Sequence, residues 1–233
     1  MALNLETGNG SAADAASVNV SLTVTSANLL VARVCMRIAN GGTLTGITWN
    51  TNQNFIYCGA QQSAGNRRVE IWYLINPTSG THNAVATFST GDVYYLHIQG
   101  FTGANTVTPL GTFVSSISGP TPISVVVSSN TGDIVLDVAC GVIGTWTITD
   151  QTEQFNSILN TTSYAGSYKA GSSSVTMGWT DTSSDPILGG VSVNAAGGSA
   201  AVTGTAAASI TEADVVAGGK ILTITLTGDT FIS

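Results

Sequence analysis

Charge is the scarcest property of this 233-residue chain. Asp, Glu, Lys and Arg together make up 8% of it, against roughly 25% in an average soluble protein. Six Lys and Arg face thirteen Asp and Glu, a net of −7. Nucleic-acid binding needs clustered cations to neutralise phosphates, and a membrane-surface helix needs a basic face, so neither partner is expected. No apolar run approaches the roughly 20 residues of a spanning helix. From Met1 to Ser11 there is neither a basic nor an apolar segment, so no secretory signal is expected there. Histidine occurs only as His82 and His97, and no Cys or His sits at zinc-ligand spacing. Phosphate-loop and nucleophile-elbow patterns are missing as well. Three cysteines, Cys35, Cys58 and Cys140, cannot form a complete disulfide set. Buried free thiols are the plain reading, with a Cys35–Cys140 bridge left open.

Ser, Thr, Asn and Gly fill the polar share. Thr favours pleated strands, while Gly and Asn favour turns. Period-two alternation dominates the chain, placing one face of each strand on a core and the other in water. Ser17 to Thr25 is the clearest case, with Val18, Val20, Leu22 and Val24 on one face. Leu29 to Ile38 repeats it through Leu30, Ala32, Val34, Met36 and Ile38, while Arg33 and Arg37 share the opposite face. Further strands are expected at 47–49, 55–58, 67–75, 83–88, 94–101, 123–127, 134–138, 174–179 and 191–193. Turn signals separate them, including Asn40-Gly41-Gly42, Asn76-Pro77, Thr90-Gly91-Asp92, Gly119-Pro120 and Asn130 to Asp133. No long helical pattern intervenes. An all-β antiparallel sandwich over residues 17–195 follows.

Residues 1–16 are short of apolar anchors and read as an N-terminal arm. Residues 196–204 read as a linker, because Ala195 to Ala201 is Ala-, Gly- and Ser-rich. Residues 205–233 read as a C-terminal β arm, with Leu222, Ile224 and Leu226 on one face of a strand from Lys220 to Thr227. One or two strands cannot stand alone in water, so this arm must pair with its own sandwich or another subunit. Arm exchange between subunits is the favoured reading, against simple fraying of both ends.

Glu70-Ile-Trp-Tyr-Leu-Ile-Asn-Pro-Thr-Ser-Gly-Thr-His82 resembles a β-sandwich domain of tailed-phage structural proteins, concanavalin A-like or jelly-roll in type. The likeness spans Ala16 to Ala195. It is supported by Asn28 to Val31, Asp133 to Asp137 and Val175 to Thr180, and it departs from the pattern at Gln99 to Thr102. Gly204 to Phe231 resembles the opening of a second phage structural module. Together these resemblances imply a virion component with no catalytic residues to carry over.

Few residues invite chemistry. Most acidic residues sit in turns, where Asp hydrogen-bonds its own backbone. Asn130 to Asp133 and Asp181 to Asp185 could in principle hold calcium, but plain polar turns are the expectation, and no metal or cofactor is assigned. Glu70 lies two residues from Arg68 on the same face, which suggests an ion pair. Trp72 (with Leu74) and Trp179 (with Val175 and Met177) read as core. Trp49 and Trp146 are the candidates for a sugar platform, to which Tyr57, Tyr94, Tyr95, Tyr164 and Tyr168 could add. The favoured expectation is a non-enzymatic head decoration or cement protein, made in the host cytoplasm and carried on the virion. Its partners would be the major capsid protein or other virion subunits and copies of itself, in a homo-oligomer such as a trimer. The alternative is a carbohydrate-binding module of a tail fibre or adhesin.

Overall fold

Alternating residues do become strands, and the strands stack further than one sandwich. The computed structural model describes residues 2–117 and 122–197. Leu222, Ile224, Leu226, most of the expected linker and the Gly119-Pro120 turn lie outside them. The first half comprises β1 (Asn4–Val24), β2 (Leu29–Arg37), β3 (Leu44–Trp49), β4 (Gln53–Asn54), β5 (Ile56–Gln62), β6 (Arg67–Ile75) and β7 (Gly80–Thr102). The second half comprises β8 (Val114–Ile117), β9 (Ile123–Val127), β10 (Ile134–Val142), β11 (Trp146–Ile148), β12 (Thr152–Leu159), β13 (Thr162–Ala170), β14 (Val175–Asp181) and β15 (Ile187–Val193). All their pairings are antiparallel. The fold is an all-β antiparallel sandwich, as the alternation implies.

β1 and β7 form one long ribbon that doubles back. Its register breaks between Ala15 and Ser17, and the Asn9 side chain donates to the Ser21 carbonyl at 2.9 Å. One half of the ribbon (residues 17–24 with 80–88) joins β3 and β4 in an outer layer. Its other half (residues 4–15 with 92–102) joins β2, β6 and β5 in a second layer. A third layer runs β12-β13-β10-β15-β8, and a fourth runs β11-β14-β9.

Three apolar cores fill the gaps between the four layers. Val18, Val20, Leu22 and Val24 meet Leu30, Ala32, Val34 and Met36 in the first. Leu29, Val31 and Cys35 of β2 meet Leu136, Val138 and Cys140 of β10 in the second. Val135 and Ala139 of β10 meet Val125, Met177 and Trp179 in the third. β2 and β10 are therefore covered on both faces, which explains their near-continuous apolar runs. Each large side chain taken fully out of water contributes about 1.5–3 kcal/mol.

Several expectations are corrected. The face carrying Arg33 is the inner side of the second layer, where Arg33 is fully buried and only Arg37 at the strand end reaches water. Residues 4–15, expected as part of a free arm, pair with residues 92–102 of β7. Their anchor is the backbone ladder, which a scarcity of apolar side chains does not reveal. Thr90-Gly91-Asp92 makes no chain reversal but lies where the ribbon bends. Cys35 and Cys140 are not free thiols. They form a disulfide across the second core, with Cα atoms 5.6 Å apart, and join β2 to β10. Cys58 remains free, and burial pushes its pKa up to about 11. The strands β11, β12 and β13 had no clear alternation, because β12 is largely exposed and β13 buries small residues on both faces.

Candidate functional site

Two buried arginines hold the halves of the chain together. Arg33 on β2 donates through Nη1 to the Asp137 and Ser167 carbonyls, at 3.0 and 3.2 Å. Through Nη2 it donates to Gln154 Oε1 at 2.6 Å and to His97 Nδ1 at 3.0 Å. Its guanidinium carbon lies 4.7 Å from the centre of the Phe155 ring. Arg67 on β6 donates to the Gly141 and Thr161 carbonyls, at 3.2 and 2.9 Å. Both guanidiniums thus spend donors on backbone oxygens of the second half. Burial lowers the Arg33 pKa to about 10, a value at which it stays charged at neutral pH.

A guanidinium has only donors, so His97 Nδ1 must accept and the ring proton sits on Nε2. Burial, reinforced by the Arg33 charge, holds the His97 pKa well below its ordinary value. Asp137 faces the other way, into the third core. Its carboxylate accepts from the Ser167 amide (2.6 Å), Trp179 Nε1 (2.9 Å) and Gln151 Nε2 (3.2 Å). Burial raises the Asp137 pKa, and the bonds from Ser167 and Trp179 and the Arg33 charge pull it back. His97 and Asp137 therefore do not form an acid–base pair. The chemistry of this cluster is cohesion between layers.

Every cation among the described residues is committed. Beside the two buried arginines, Arg37 pairs with Asp92 at 3.5 Å, Arg68 with Glu70 at 2.5 Å and Lys169 with Asp150 at 2.6 Å. The Arg68–Glu70 pair is the one suggested by their shared strand face. The two polar turns consume their own carboxylates. Asp133 accepts from the amides of Asn130 and Ala195, and Asp181 accepts from the Ser183 amide and hydroxyl.

The expected sugar platform is overturned. Trp49 is fully buried in the first core and donates to the Thr78 carbonyl at 3.0 Å. Trp146 is 4% exposed, donates to Ser163 Oγ at 3.0 Å and packs edge-on against Trp179. Both sit on strand faces turned inward, a fact hidden by short β3 and β11 segments with little alternation of their own. Tyr94, Tyr95 and Tyr164 are buried too. Among the described residues the exposed aromatic is Tyr57, half in solvent and edge-on to Trp72 at 5.3 Å. A cleft of about 370 Å³ lies at the far end of the same two strands, lined by Ile38, Gly42, Thr43, Gln62, Asn66 and Arg68.

The outer edge of β1 is the other open feature. β1 pairs only with β7, so its second edge has no strand partner among the described residues. It carries no Lys, Arg or Pro over 21 residues. Glu6 is turned aside to the amides of Ser26 and Ala27, and Asp14 accepts from Asn160. Of the usual guards of such an edge, β1 has neither lysine nor proline, and its register shifts fall at Leu5/Gly8 and Ala15/Ser17, on either side of an open stretch.

No family model, curated protein or solved structure matches the chain. The likeness drawn from Glu70 to His82 therefore rests on the chain's own residues, which form the β6–β7 connection, with Asn76 at a positive φ of 52°.

Proposed function

We propose that this chain is a non-enzymatic structural subunit of a tailed-phage particle, a head decoration or cement protein. It would join the major capsid protein and copies of itself through strand addition. The outer edge of β1, without a strand partner among the described residues and without Lys, Arg or Pro, is the observation that carries this reading, since an open row of amides and carbonyls is a template for another chain's strand. A body of four layers, stapled by a disulfide and two buried arginines, suits a mechanical role. The disulfide also suits service on a particle outside the reducing cytoplasm. The test is to add the purified chain to particles assembled without it. Binding, with a higher temperature of particle disruption, is the expected result. Chain that stays in the supernatant and leaves disruption unchanged contradicts the reading.

A second reading, binding of neutral glycans, keeps one observation in its favour: the exposed Tyr57 ring against Trp72. Glycan-array binding that disappears in Tyr57→Ala would promote it over assembly.

A further inference from the structure

We infer that β12 is an acid-released latch: Gln154 and Phe155 clamp the Arg33–His97 contact, and a proton on His97 frees them. This regulation goes beyond the structural role proposed above and does not depend on it. The device starts from a bulge. β12 is the edge strand of the third layer, pairs only with β13 among the described residues and shifts register between Glu153 and Phe155. An extra residue in a strand re-aims its side chains. Here Gln154 and Phe155 are half-buried side by side, while Thr152, Glu153, Asn156 and Ser157 are exposed. Both land on the same pair of groups. Gln154 accepts from Arg33 Nη2 at 2.6 Å and donates to Gln99 Oε1 at 2.8 Å. The Phe155 ring stacks on His97, with centroids 4.7 Å apart and planes 27° apart. Gly166 of β13 makes room for that ring, since a Cβ there would collide with it. Gly8 and Gly10 of β1 border His97 on another side.

The closed latch refuses a proton. His97 Nδ1 accepts from Arg33 Nη2, which a protonated ring cannot do. A proton there would set two donors and two positive charges face to face at 3.0 Å. Among the described residues no carboxylate bonds to the ring to offset them. Asp137 of β10 is spent on Ser167, Trp179 and Gln151. On β1, Glu6 is spent on the Ser26 and Ala27 amides and Asp14 on Asn160. Glu153 of β12 is exposed and accepts from Asn156. Tyr95 of β7 and Tyr164 of β13 are buried phenols stacked on each other. With β12 lifted, the His97 ring meets water and regains its ordinary pKa near 6.5. Opening therefore takes up a proton below that pH, and closing expels it. The Cys35–Cys140 disulfide keeps β2 and β10 joined meanwhile, so the edge strand can open by itself. Linkage makes the opening about 30-fold more frequent at pH 5 than at pH 7.5.

The test is amide exchange, read by mass spectrometry, on the full-length chain and its His97→Gln variant at pH 5 and pH 7.5. Each rate is divided by that of an unstructured peptide at the same pH. Gln keeps an acceptor for Arg33 and cannot titrate. In the native chain the protection of Thr152–Leu159 should fall about 30-fold at pH 5, and should lie well below that of β2 and β10 at both pH values. In His97→Gln it should change less than about threefold. An equal fall in both chains, or none in either, overturns the latch. So does β12 protection equal to that of β2 and β10, which would mean that the strand opens only with the whole body. Nuclear magnetic resonance of the His97 ring checks the cover without that substitution. Phe155→Ala should raise the titration midpoint of the ring toward 6.5. A midpoint unchanged from the native chain overturns the part given to Phe155.

Discussion

Arg33 shows how one residue changes sense when a second sheet covers it. On a single sandwich an arginine in a strand marks the wet face. Here its donors satisfy two carbonyls, a half-buried glutamine and a buried histidine. Arg33→Met would fill much of the volume but leave those acceptors unpaired, so urea unfolding should show a loss of about 2–4 kcal/mol. His97 yields a prediction with a definite sign. Its pKa in the folded state lies well below the unfolded value near 6.5, so below pH 6.5 the unfolded chain binds a proton that the folded chain refuses. Stability should therefore fall with acid from about pH 6.5 downward, by at most about 1.4 kcal/mol per pH unit from this group. Asp137, whose pKa is raised, acts in the opposite direction. Urea midpoints for the native chain and His97→Gln between pH 5 and 8 isolate the histidine. The difference between the two chains should depend on pH below 6.5 and be flat above it. A difference that is flat throughout would contradict a buried, neutral His97.

At the scale of elements, legibility follows from how much each strand relies on side chains. β9 reads to its ends, Ile123–Val127, because its alternation is complete, and β6 matches Arg67–Ile75 although it is packed on both faces and its burial does not alternate. The first part of β1 was hidden because Ala and Gly carry no periodic signal and the ladder to β7 supplies the cohesion. Thr90-Gly91-Asp92 looked like a turn, since local composition cannot tell a reversal from a bend. Asp92 sits nearly buried there, paired with Arg37 and bonded to the Val93 amide. The choice of Trp49 and Trp146 as a sugar platform failed for a related reason. Exposure depends on which layer covers a strand, and that is not written in the strand itself. The disulfide between β2 and β10 closes 105 residues of chain. A loop of that size corresponds to about 4–5 kcal/mol in the chain-entropy account. Thiol titration of the native protein should find Cys58 alone, and denaturation in reductant should reveal all three cysteines. Cys35→Ala with Cys140→Ala should lower the unfolding free energy by about 2–5 kcal/mol, read from urea curves.

At the scale of the whole molecule, four layers and three cores make a stiff body from a chain with few charges. The described cations are either buried as staples or paired at the surface. On the proposed assembly reading, contacts between copies would rest on backbone pairing and apolar burial, neither of which salt screens. The sandwich class was readable because alternation and turns recur along most of the chain. The stacking of two sandwiches was not, although the unbroken apolar run of β2 is its local trace. The central claim of the proposal is that copies associate through an open strand edge and not through ion pairs. Sedimentation of the full-length chain across a concentration series, at 0.05 M and at 1 M sodium chloride, tests it most directly. The account predicts a concentration-dependent oligomer whose association constant changes less than about threefold between the two salts. A monomer at every concentration, or an oligomer that salt dissolves, would contradict it.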